Sequence, residues 1–204
     1  MRIGIIGVGH IGGTLAAHFV AAGHEVAISN SRVPETLVGA VDGAQPMTVE
    51  DAERFGEVVV VSIPLVRYRD VPTDAVDGKV VIDTNNYYPQ RDGQIPELDN
   101  DSTTSSELLQ AHLPGARVVK AFNSIVWTRL RDDARPTGDP DRIGIPISGD
   151  DEPAKRTVAE LIDEIGFDAV DAGTLAAGGR KQQVVGPAYG QVLPTAELRA
   201  LLGE

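Results

Sequence analysis

Three glycines stand where a nucleotide-binding turn needs them. Gly7, Gly9 and Gly12 form the pattern GxGxxG in "GVGHIG", directly after the apolar run "RIGII" and at the start of a helical segment. In this context the first glycine permits a tight turn, the second lets the backbone approach a pyrophosphate, and the third lets helix and strand pack closely. The helix N-terminus adds unpaired N–H groups and partial positive charge. The motif therefore predicts a dinucleotide site, with His10 at the border of the pyrophosphate.

The stretch "HEVAISNSR" lies about 20 residues past this turn, where an NAD-binding protein usually carries an acid for the ribose 2′-hydroxyl. No acid occurs from Val26 through Pro34. Ser29 or Ser31 and Asn30 can donate hydrogen bonds to a 2′-phosphate, and Arg32 can add a charge-assisted contact. The strand end therefore predicts selectivity for NADP(H). The alternative is that Arg32 is a solvated loop residue and the site accepts either cofactor.

Two further strand ends carry residues that suit a nicotinamide. "SIPL" follows the run "EVVVV", and "DTNN" follows "KVVI". Both are expected at the carboxyl edge of a parallel sheet, where open α/β folds bind ligands. Pro64 would turn the chain away and leave Ile63 and Pro64 as an apolar shelf beside the nicotinamide ring. Asn85 is placed to bond the nicotinamide ribose or carboxamide. Ordinary loop chemistry is the alternative for each.

The elements that must position these residues alternate along the chain. Short β-branched runs read as strands, and amphipathic segments between them read as helices: "RIGII", "EVAIS", "EVVVVSIP", "KVVIDT", "ARVVKAF", "IGIPISG" and "FDAVDAG" for the strands, and "IGGTLAAHFVAAG", "TVEDAERFG", "SSELLQAHL" and "DEPAKRTVAELIDEIG" for the helices. This rhythm predicts an α/β fold, a Rossmann-type, doubly wound and mostly parallel sheet with a short C-terminal extension. The polar stretches 85–102 and 131–141 are predicted as long loops.

Composition excludes several classes of function. The 204 residues carry a formal net charge of −12, so neither nucleic acid nor an anionic membrane surface is expected as a partner. Cysteine is absent and the four histidines have no metal-ligand spacing, so no metal site is expected. No apolar run approaches the roughly 18 to 20 residues of a membrane span. We therefore expect a cytoplasmic protein that acts on a small molecule.

Along nearly its whole length the chain resembles the NADPH-dependent reductases of the deazaflavin coenzyme F420, the F420-dependent NADP oxidoreductases, as a short bacterial-type member. The resemblance rests on "GVGHIG", "GHEVAISNSR", "SIP", "RVVKAFNSI" and "ISGDDEPAKRTVAELIDEIGFDAVDAG" with the "TL" after it. It implies an NADP-binding Rossmann domain over residues 1–173. It further implies an extension over 174–204 that contributes to the acceptor pocket or to a dimer contact. The whole is implied to be a homodimer that transfers hydride between NADPH and F420.

Residue roles follow from the resemblance position by position. Val8, Gly9, His10 and Ile11 would line the pyrophosphate, while Ser31 and Arg32 would hold the 2′-phosphate. The "KAFNSI" and "DAGTL" segments would wall the deazaflavin pocket, with these residues as the candidates: Lys120, Phe122, Asn123, Gly173 and Leu175. Apart from the resemblance, Tyr87 on the long loop is a further candidate for the acceptor pocket. The chain departs from archaeal members in reading "AAGGR" where they have Asn-Ser-Arg, and in its shorter, more polar tail.

The remaining alternatives for the function differ in the molecule that accepts the hydride. A deazaflavin ring absorbs the transferred charge itself, so no dedicated catalytic acid is required. A small carbonyl or imine would need a proton donor, for which Lys120, Tyr87 and Tyr88 are the possible residues. The alternatives are a solvated strand-end cation for Lys120, and loop packing or stacking on a flat acceptor ring for the two tyrosines. A third hypothesis is a non-catalytic NADP(H)-binding redox sensor, which would keep the glycine turn and "NSR" and need no acceptor pocket.

Overall fold

The computed structural model describes residues 1–203 and confirms a Rossmann-like α/β fold built on one mostly parallel sheet. Within these residues the sheet has eight strands in the order β3-β2-β1-β4-β5-β6-β7-β8. Every neighbouring pair is parallel except β6 and β7, which run antiparallel. The strands are β1 (Arg2–Ile6), β2 (Glu25–Ser29), β3 (Gln45–Pro46), β4 (Val58–Val61), β5 (Val80–Asp83), β6 (Arg117–Lys120), β7 (Gly144–Gly149) and β8 (Asp168–Gly173).

Helices connect and cover the strands: α1 (His10–Ala21), α2 (Val49–Phe55), α3 (Pro89–Asp92), α4 (Pro96–Asp99), α5 (Ser105–His112), α6 (Trp127–Asp132), α7 (Glu152–Glu164), α8 (Ala177–Gln182) and α9 (Thr195–Leu202). Single 3₁₀ turns occupy Pro34–Leu37 and Leu65–Asp70. Side-chain caps start several helices, because a polar oxygen satisfies an otherwise unpaired N–H. Thr48 caps α2 and Thr104 forms a capping box with Glu107 on α5. None of these helices is long and apolar enough to cross a membrane.

The sheet is buried on both faces, which explains why its strands read as continuous apolar runs. On one face Ile5 and Val60 belong to a core that also contains Phe19 of α1. On the other, Val59 belongs to a core that contains Leu109 of α5. Because successive strand residues point to opposite faces, a run such as "VVVV" supplies both cores at once.

One region predicted as a loop contains helices, and so does the glycine-rich tail. The long loop 85–102 holds α3 and α4, each with proline in its first turn, where the missing N–H leaves no hydrogen bond unmade. The glycine-rich tail holds α8, which packs tightly on the sheet. A Cβ at Gly178 would lie 2.3 Å from Ser148 Oγ and 2.8 Å from the Ala172 carbonyl oxygen. The glycines of "AAGGR" therefore serve close packing, and the predicted division after residue 173 falls at the end of β8.

The strand order reverses beside β1, since β2 lies on one side of it and β4 on the other. In such folds the crevice outside the carboxyl ends of these strands is the usual ligand site. Gly7 follows β1 and Ser62 to Pro64 follow β4, so the topology brings both predicted segments to this crevice.

Glu53 on α2 gives the fold a pH-dependent element. Its side chain is buried, and its Oε1 has no hydrogen-bond partner among the described residues. Burial raises the pKa of Glu53 to about 7, with the Lys79 ammonium opposing the shift. Because the folded state binds this proton more tightly than the unfolded chain, the stabilisation is complete below the ordinary pKa of 4.5 and is lost as pH rises towards 7.

We therefore expect the free energy of unfolding of the wild type, measured relative to Glu53→Gln, to fall between pH 4.5 and pH 7. Urea unfolding at half-unit pH steps measures the difference. Parallel curves for the two proteins across this range would contradict the assignment.

Candidate functional site

The glycine turn brings β1, β4 and α1 closer together than any side chain would permit. Gly7 has φ of 101°, and a Cβ there would lie 2.1 Å from the Ser62 carbonyl oxygen. A Cβ at Gly12 would lie 2.0 Å from the Gly7 carbonyl oxygen. Gly9 differs, because a Cβ there would meet nothing within 4 Å. Packing requires Gly7 and Gly12, whereas Gly9 leaves open space beside the start of α1.

The start of α1 fits a phosphate group. Gly9 is its N-cap, no side chain caps its first turn and no acid lies there. The unpaired N–H groups and the partial positive charge of a helix N-terminus favour an anion at this point. The residues present therefore fit the pyrophosphate of a dinucleotide, held by backbone N–H groups at the open face of Gly9.

A cavity of about 330 Å³ extends from this turn to the end of β2, with Gly7, Val8, Gly9, Asn30, Ser31, Arg32, Ile63 and Pro64 among its lining residues. Asn30 shapes the loop, because its Oδ1 accepts from the Arg32 N–H at 2.8 Å and its Nδ2 donates to Thr36 Oγ1 at 3.3 Å. The side chains of Ser31 and Arg32 are exposed and make no hydrogen bond within residues 1–203. This arrangement leaves one hydroxyl and one guanidinium available to a 2′-phosphate.

Ser29, offered in the sequence as an alternative to Ser31, is not available to a ligand. Its side chain is wholly buried and its hydroxyl donates to the Ile5 carbonyl oxygen at 3.0 Å. Ser29 is the last residue of β2, so its hydroxyl still bonds to the neighbouring strand β1, whereas Ser31 lies in the loop beyond the strand.

Arg67 lines the same cavity and was missed from the sequence. It lies in the 3₁₀ turn after Pro64, where it pairs with Asp70. Both side chains are 54% exposed, so this ion pair is screened by solvent and contributes little stability. The sequence does contain a signal for Arg67, since a cation occurs three residues beyond the "SIP" segment.

Asn85 lies at the nicotinamide end of the predicted site, where it lines a second cavity of about 390 Å³ with Ile63 and Pro64. Its Oδ1 accepts from the Ile63 N–H at 3.0 Å, which fixes the orientation of the amide. Its Nδ2 is buried and has no partner among the described residues. A buried donor left unpaired is costly, typically about 1–3 kcal/mol, so the free N–H group fits donation to a bound carboxamide or ribose.

The backbone of Asn85 is held by a buried ion pair between Asp83 and Lys120. Lys120 Nζ lies 3.5 Å from Asp83 Oδ2 and donates to the Asn85 carbonyl oxygen at 2.9 Å. Asp83 Oδ1 accepts from the Asn85 N–H at 2.9 Å. Ser105 and Ser106 at the start of α5 complete the shell, with hydroxyl oxygens 3.0 and 3.1 Å from Lys120 Nζ.

This environment argues against Lys120 as a proton donor to an acceptor. Its side chain is 0% exposed and lines none of the cavities along the cleft. Burial lowers the pKa of the Lys120 ammonium, and the Asp83 carboxylate opposes that shift. The strand-end position suggested a solvated cation, but Lys120 is instead a structural group beneath the site.

A third cavity, of about 340 Å³, shares His10, Ile11, Thr84, Asn86 and Tyr88 with the cavity beside Asn85. Aromatic rings surround it. The imidazole of His10 stacks on Trp127 with ring centroids 4.5 Å apart and an interplanar angle of 13°. Tyr88 and Tyr189 stand at the same cavity, with their hydroxyl groups in hydrogen-bond contact. Trp127 and Tyr189 were missed in the sequence, although the chain has only one tryptophan and four tyrosines.

Of the residues predicted for an acceptor pocket, only Asn123 lines this aromatic cavity. Its Nδ2 donates to Asn86 Oδ1 at 3.0 Å and to the Gln182 carbonyl oxygen at 2.7 Å. Phe122 and Leu175 are both 0% exposed and belong to the two cores, so neither can wall an open pocket. Gly173, with φ of 114°, turns the chain after β8 and lines no cavity described above.

Tyr87 packs the long loop rather than facing the aromatic cavity. Its hydroxyl donates to Asp99 Oδ1 at 2.7 Å and accepts from the Ile95 N–H at 2.9 Å. Desolvation and the hydrogen bond to Asp99 raise the pKa of the Tyr87 phenol. Tyr87 is thus the loop-packing residue, and its neighbour Tyr88 reaches the cleft.

No group of three or more His, Asp or Glu residues in the described part of the chain could hold a metal ion, and the sequence contains no cysteine. The three cavities of the cleft are lined by backbone groups, apolar and aromatic side chains, amides, hydroxyls, the Asp70 carboxylate and the guanidinium groups of Arg32, Arg67 and Arg91. This set can bind a phosphorylated dinucleotide beside a flat second molecule.

Comparison with known proteins agrees with this geometry. Residues 2–87 match the family described as NADP oxidoreductase, coenzyme F420-dependent. The structure of a hypothetical protein, SMa0349, from Sinorhizobium meliloti is 34% identical, covers 95% of each chain and superposes with a TM-score of 0.82. A structure from Arthrobacter sp. FB24, provisionally assigned as an F420-dependent NADP reductase, is 25% identical over 87% of this chain and 88% of its own, with a TM-score of 0.74.

A longer relative is the rat metalloreductase STEAP3, 30% identical over 179 residues. The match covers 86% of this chain and 34% of that protein, so the chain spans about a third of the length of this relative.

The open face of Gly9 yields a direct test of the phosphate position. Gly9 has φ of −85°, which alanine adopts without strain, and the added methyl group meets no protein atom. We expect Gly9→Ala to keep the wild-type melting temperature but to weaken NADPH binding at least roughly tenfold, or about 1.4 kcal/mol, because the methyl group occupies the phosphate position. Thermal unfolding and calorimetric titration measure the two quantities.

Gly12→Ala is the matched control, since its methyl group would lie 2.0 Å from a backbone oxygen and should lower the melting temperature itself. Wild-type NADPH affinity in Gly9→Ala would show that the pyrophosphate does not approach this face.

Proposed function

Because this chain belongs to the family of F420-dependent NADP oxidoreductases, we propose that it transfers hydride between NADPH and coenzyme F420. The observation that carries the proposal is the continuity of the cleft. The cavity beside Asn85 shares five lining residues with the aromatic cavity, so a nicotinamide at Asn85 would adjoin a second molecule between the rings. Hydride transfer requires such adjacency, with reacting carbons about 3–3.5 Å apart.

The chain's own residues would orient the cofactor and exclude water. Backbone N–H groups at Gly9 and the start of α1 would hold the pyrophosphate, and Ser31 with Arg32 would hold the 2′-phosphate. Ile63 and Pro64 offer an apolar wall beside the nicotinamide, while Asn85 Nδ2 donates to its carboxamide or ribose. NADPH supplies the hydride when it is bound. The protein therefore contributes geometry and electrostatics rather than a covalent step.

The aromatic cavity favours a planar acceptor. A flat conjugated ring gains from offset stacking on aromatic side chains, and His10, Trp127, Tyr88 and Tyr189 all line this cavity. Arg131 lies 5.0 Å from the Trp127 ring centroid on α6. The family description and the assignment of the Arthrobacter relative name F420, which has such a ring system. The homodimer implied by the resemblance stays a prediction.

A second candidate is an NADPH-dependent reductase of a small carbonyl or imine. The observation in its favour is the pair of hydroxyls on Tyr88 and Tyr189, which could protonate such an acceptor. An NADP(H) sensor without turnover is the remaining hypothesis, and the aromatic cavity beyond the nicotinamide position is unnecessary for it.

The assay follows the absorbance of oxidised F420 mixed with NADPH and the purified chain. We expect rapid loss of the deazaflavin absorbance, and a much slower loss when NADH replaces NADPH, because NADH lacks the phosphate that Arg32 would bind. A parallel reaction with cyclic imines and small ketones follows NADPH absorbance.

Turnover of imines or ketones with none of F420 would replace the acceptor assignment by the second candidate. Tight binding of both NADPH and NADP⁺ with no turnover of any acceptor would contradict the enzyme and favour the sensor.

A further inference from the structure

The C-terminal extension brings one side chain to the cleft and fixes its backbone. Tyr189 follows Ala188, which is 0% exposed in a core shared with Leu198 of α9. On its other side the Gly190 N–H donates to the Ser124 carbonyl oxygen at 3.0 Å. The backbone of Tyr189 is thus held on both sides, and its hydroxyl contacts the Tyr88 hydroxyl at the aromatic cavity that both residues line.

The two hydroxyls carry two protons but need only one for the bond between them. One O–H group therefore remains able to donate to a molecule in the cavity. Burial and the bond to Tyr88 raise the pKa of Tyr189 to about 12, so its phenol is protonated throughout the neutral range. In this state the phenol donates a hydrogen bond, and because its pKa is raised it gives up the proton only as negative charge develops on the acceptor.

The charged and titratable groups around the pair come from α3 and from the start of α1. The Arg91 guanidinium lies 4.8 Å from the Tyr88 ring centroid and is paired with Asp92 on α3. The Tyr88 N–H donates to Asp92 Oδ2 at 2.9 Å. His10, at the start of α1, lines the same cavity. Among these groups Arg91 is the fixed positive charge closest to Tyr88, and it favours negative charge developing on the phenol pair.

We propose that Tyr189 is the catalytic acid of this cleft and that Tyr88 relays its replacement proton from solvent. The inference rests on the proposed function, because it concerns the molecule that receives the hydride. A deazaflavin ring can hold the transferred charge without an acid, so Tyr189 accelerates the transfer by protonating the ring and is not indispensable for it. When a conjugated acceptor gains a hydride at carbon, an electron pair moves onto a nitrogen or oxygen at the other end of the conjugated system. The Tyr189 O–H bond breaks, and the new bond from hydrogen to that heteroatom forms.

The balance of the step is complete with the groups named. The acceptor gains two electrons and two hydrogens, one as hydride and one as proton, while NADPH is oxidised to NADP⁺. The Tyr88 hydroxyl passes a proton to Tyr189 and takes one from water, with Arg91 stabilising the transient negative charge. No further oxidant or reductant is needed.

The test compares Tyr189→Phe, Tyr88→Phe and the control Tyr68→Phe, using oxidised F420 with saturating NADPH. Tyr68 lies outside the cleft, and its hydroxyl accepts from Arg69 Nε at 3.0 Å. We expect Tyr189→Phe to lower kcat roughly 100-fold at pH 7, the lower range for loss of a general acid. We expect its kcat to fall with rising pH between 6 and 9, while the wild-type profile stays flat, because the proton must then come from hydronium.

Tyr88→Phe keeps the acid and should show a smaller loss of kcat with a flat profile. Binding of F420 to the NADP⁺ complex, followed by F420 fluorescence without turnover, should change less than threefold in Tyr189→Phe, since the hydroxyl acts mainly in the transition state. Melting temperatures are measured for all variants.

A flat profile with wild-type kcat in Tyr189→Phe overturns the inference while the proposed function stands. The inference is also overturned if Tyr189→Phe lowers both F420 affinity and melting temperature but leaves the pH profile of kcat unchanged. The hydroxyl pair would then have a structural role only. A wild-type protein that binds NADPH but does not reduce F420 overturns the proposed function and this inference together.

Discussion

The close approach of α1 to β1 and β4 is the constraint on which the cleft depends. It is possible only because Gly7 and Gly12 have no side chains at the contact, where a Cβ would lie about 2 Å from a carbonyl oxygen (2.1 and 2.0 Å). The approach points the N-terminus of α1 at the edge of the sheet where the strand order reverses. Gly9, between them in the motif, has no packing contact, so its open face is left for a ligand.

The Asp83–Lys120 pair forms a second fixed point at the same edge. Neighbouring positions at the ends of β5 and β6 bring the two charges together, and the pair binds both the N–H and the carbonyl oxygen of Asn85. Removing one partner of such a buried pair typically costs about 3–5 kcal/mol, because an uncompensated charge remains. With the backbone of Asn85 fixed, its side-chain Oδ1 accepts from the Ile63 N–H, and its Nδ2 has no hydrogen-bond partner among the described residues.

The parts of this picture that were predictable rest on local patterns. Continuous apolar runs identify strands covered on both faces, and the glycine turn between strand and helix needs only a few adjacent residues. The role of Lys120 was not predictable, since its partner Asp83 is 37 residues away and a strand-end lysine is ordinarily solvated. Tyr189 meets Tyr88 across 101 residues, through a tail whose helix α8 depends on close packing that no local propensity encodes. For Phe122 and Leu175, position near a strand end did not indicate that the side chains point into the cores.

The central claim is that the end of β2 recognises a 2′-phosphate through Arg32 and Ser31. The most direct measurement is calorimetric titration of the wild type and Arg32→Ala with NADPH and with NADH. The wild type should bind NADPH roughly 10- to 100-fold more tightly than NADH, the range expected for a charge-assisted hydrogen bond, and Arg32→Ala should lose most of that difference by weakening NADPH alone. Equal affinity of the wild type for the two cofactors would contradict the account.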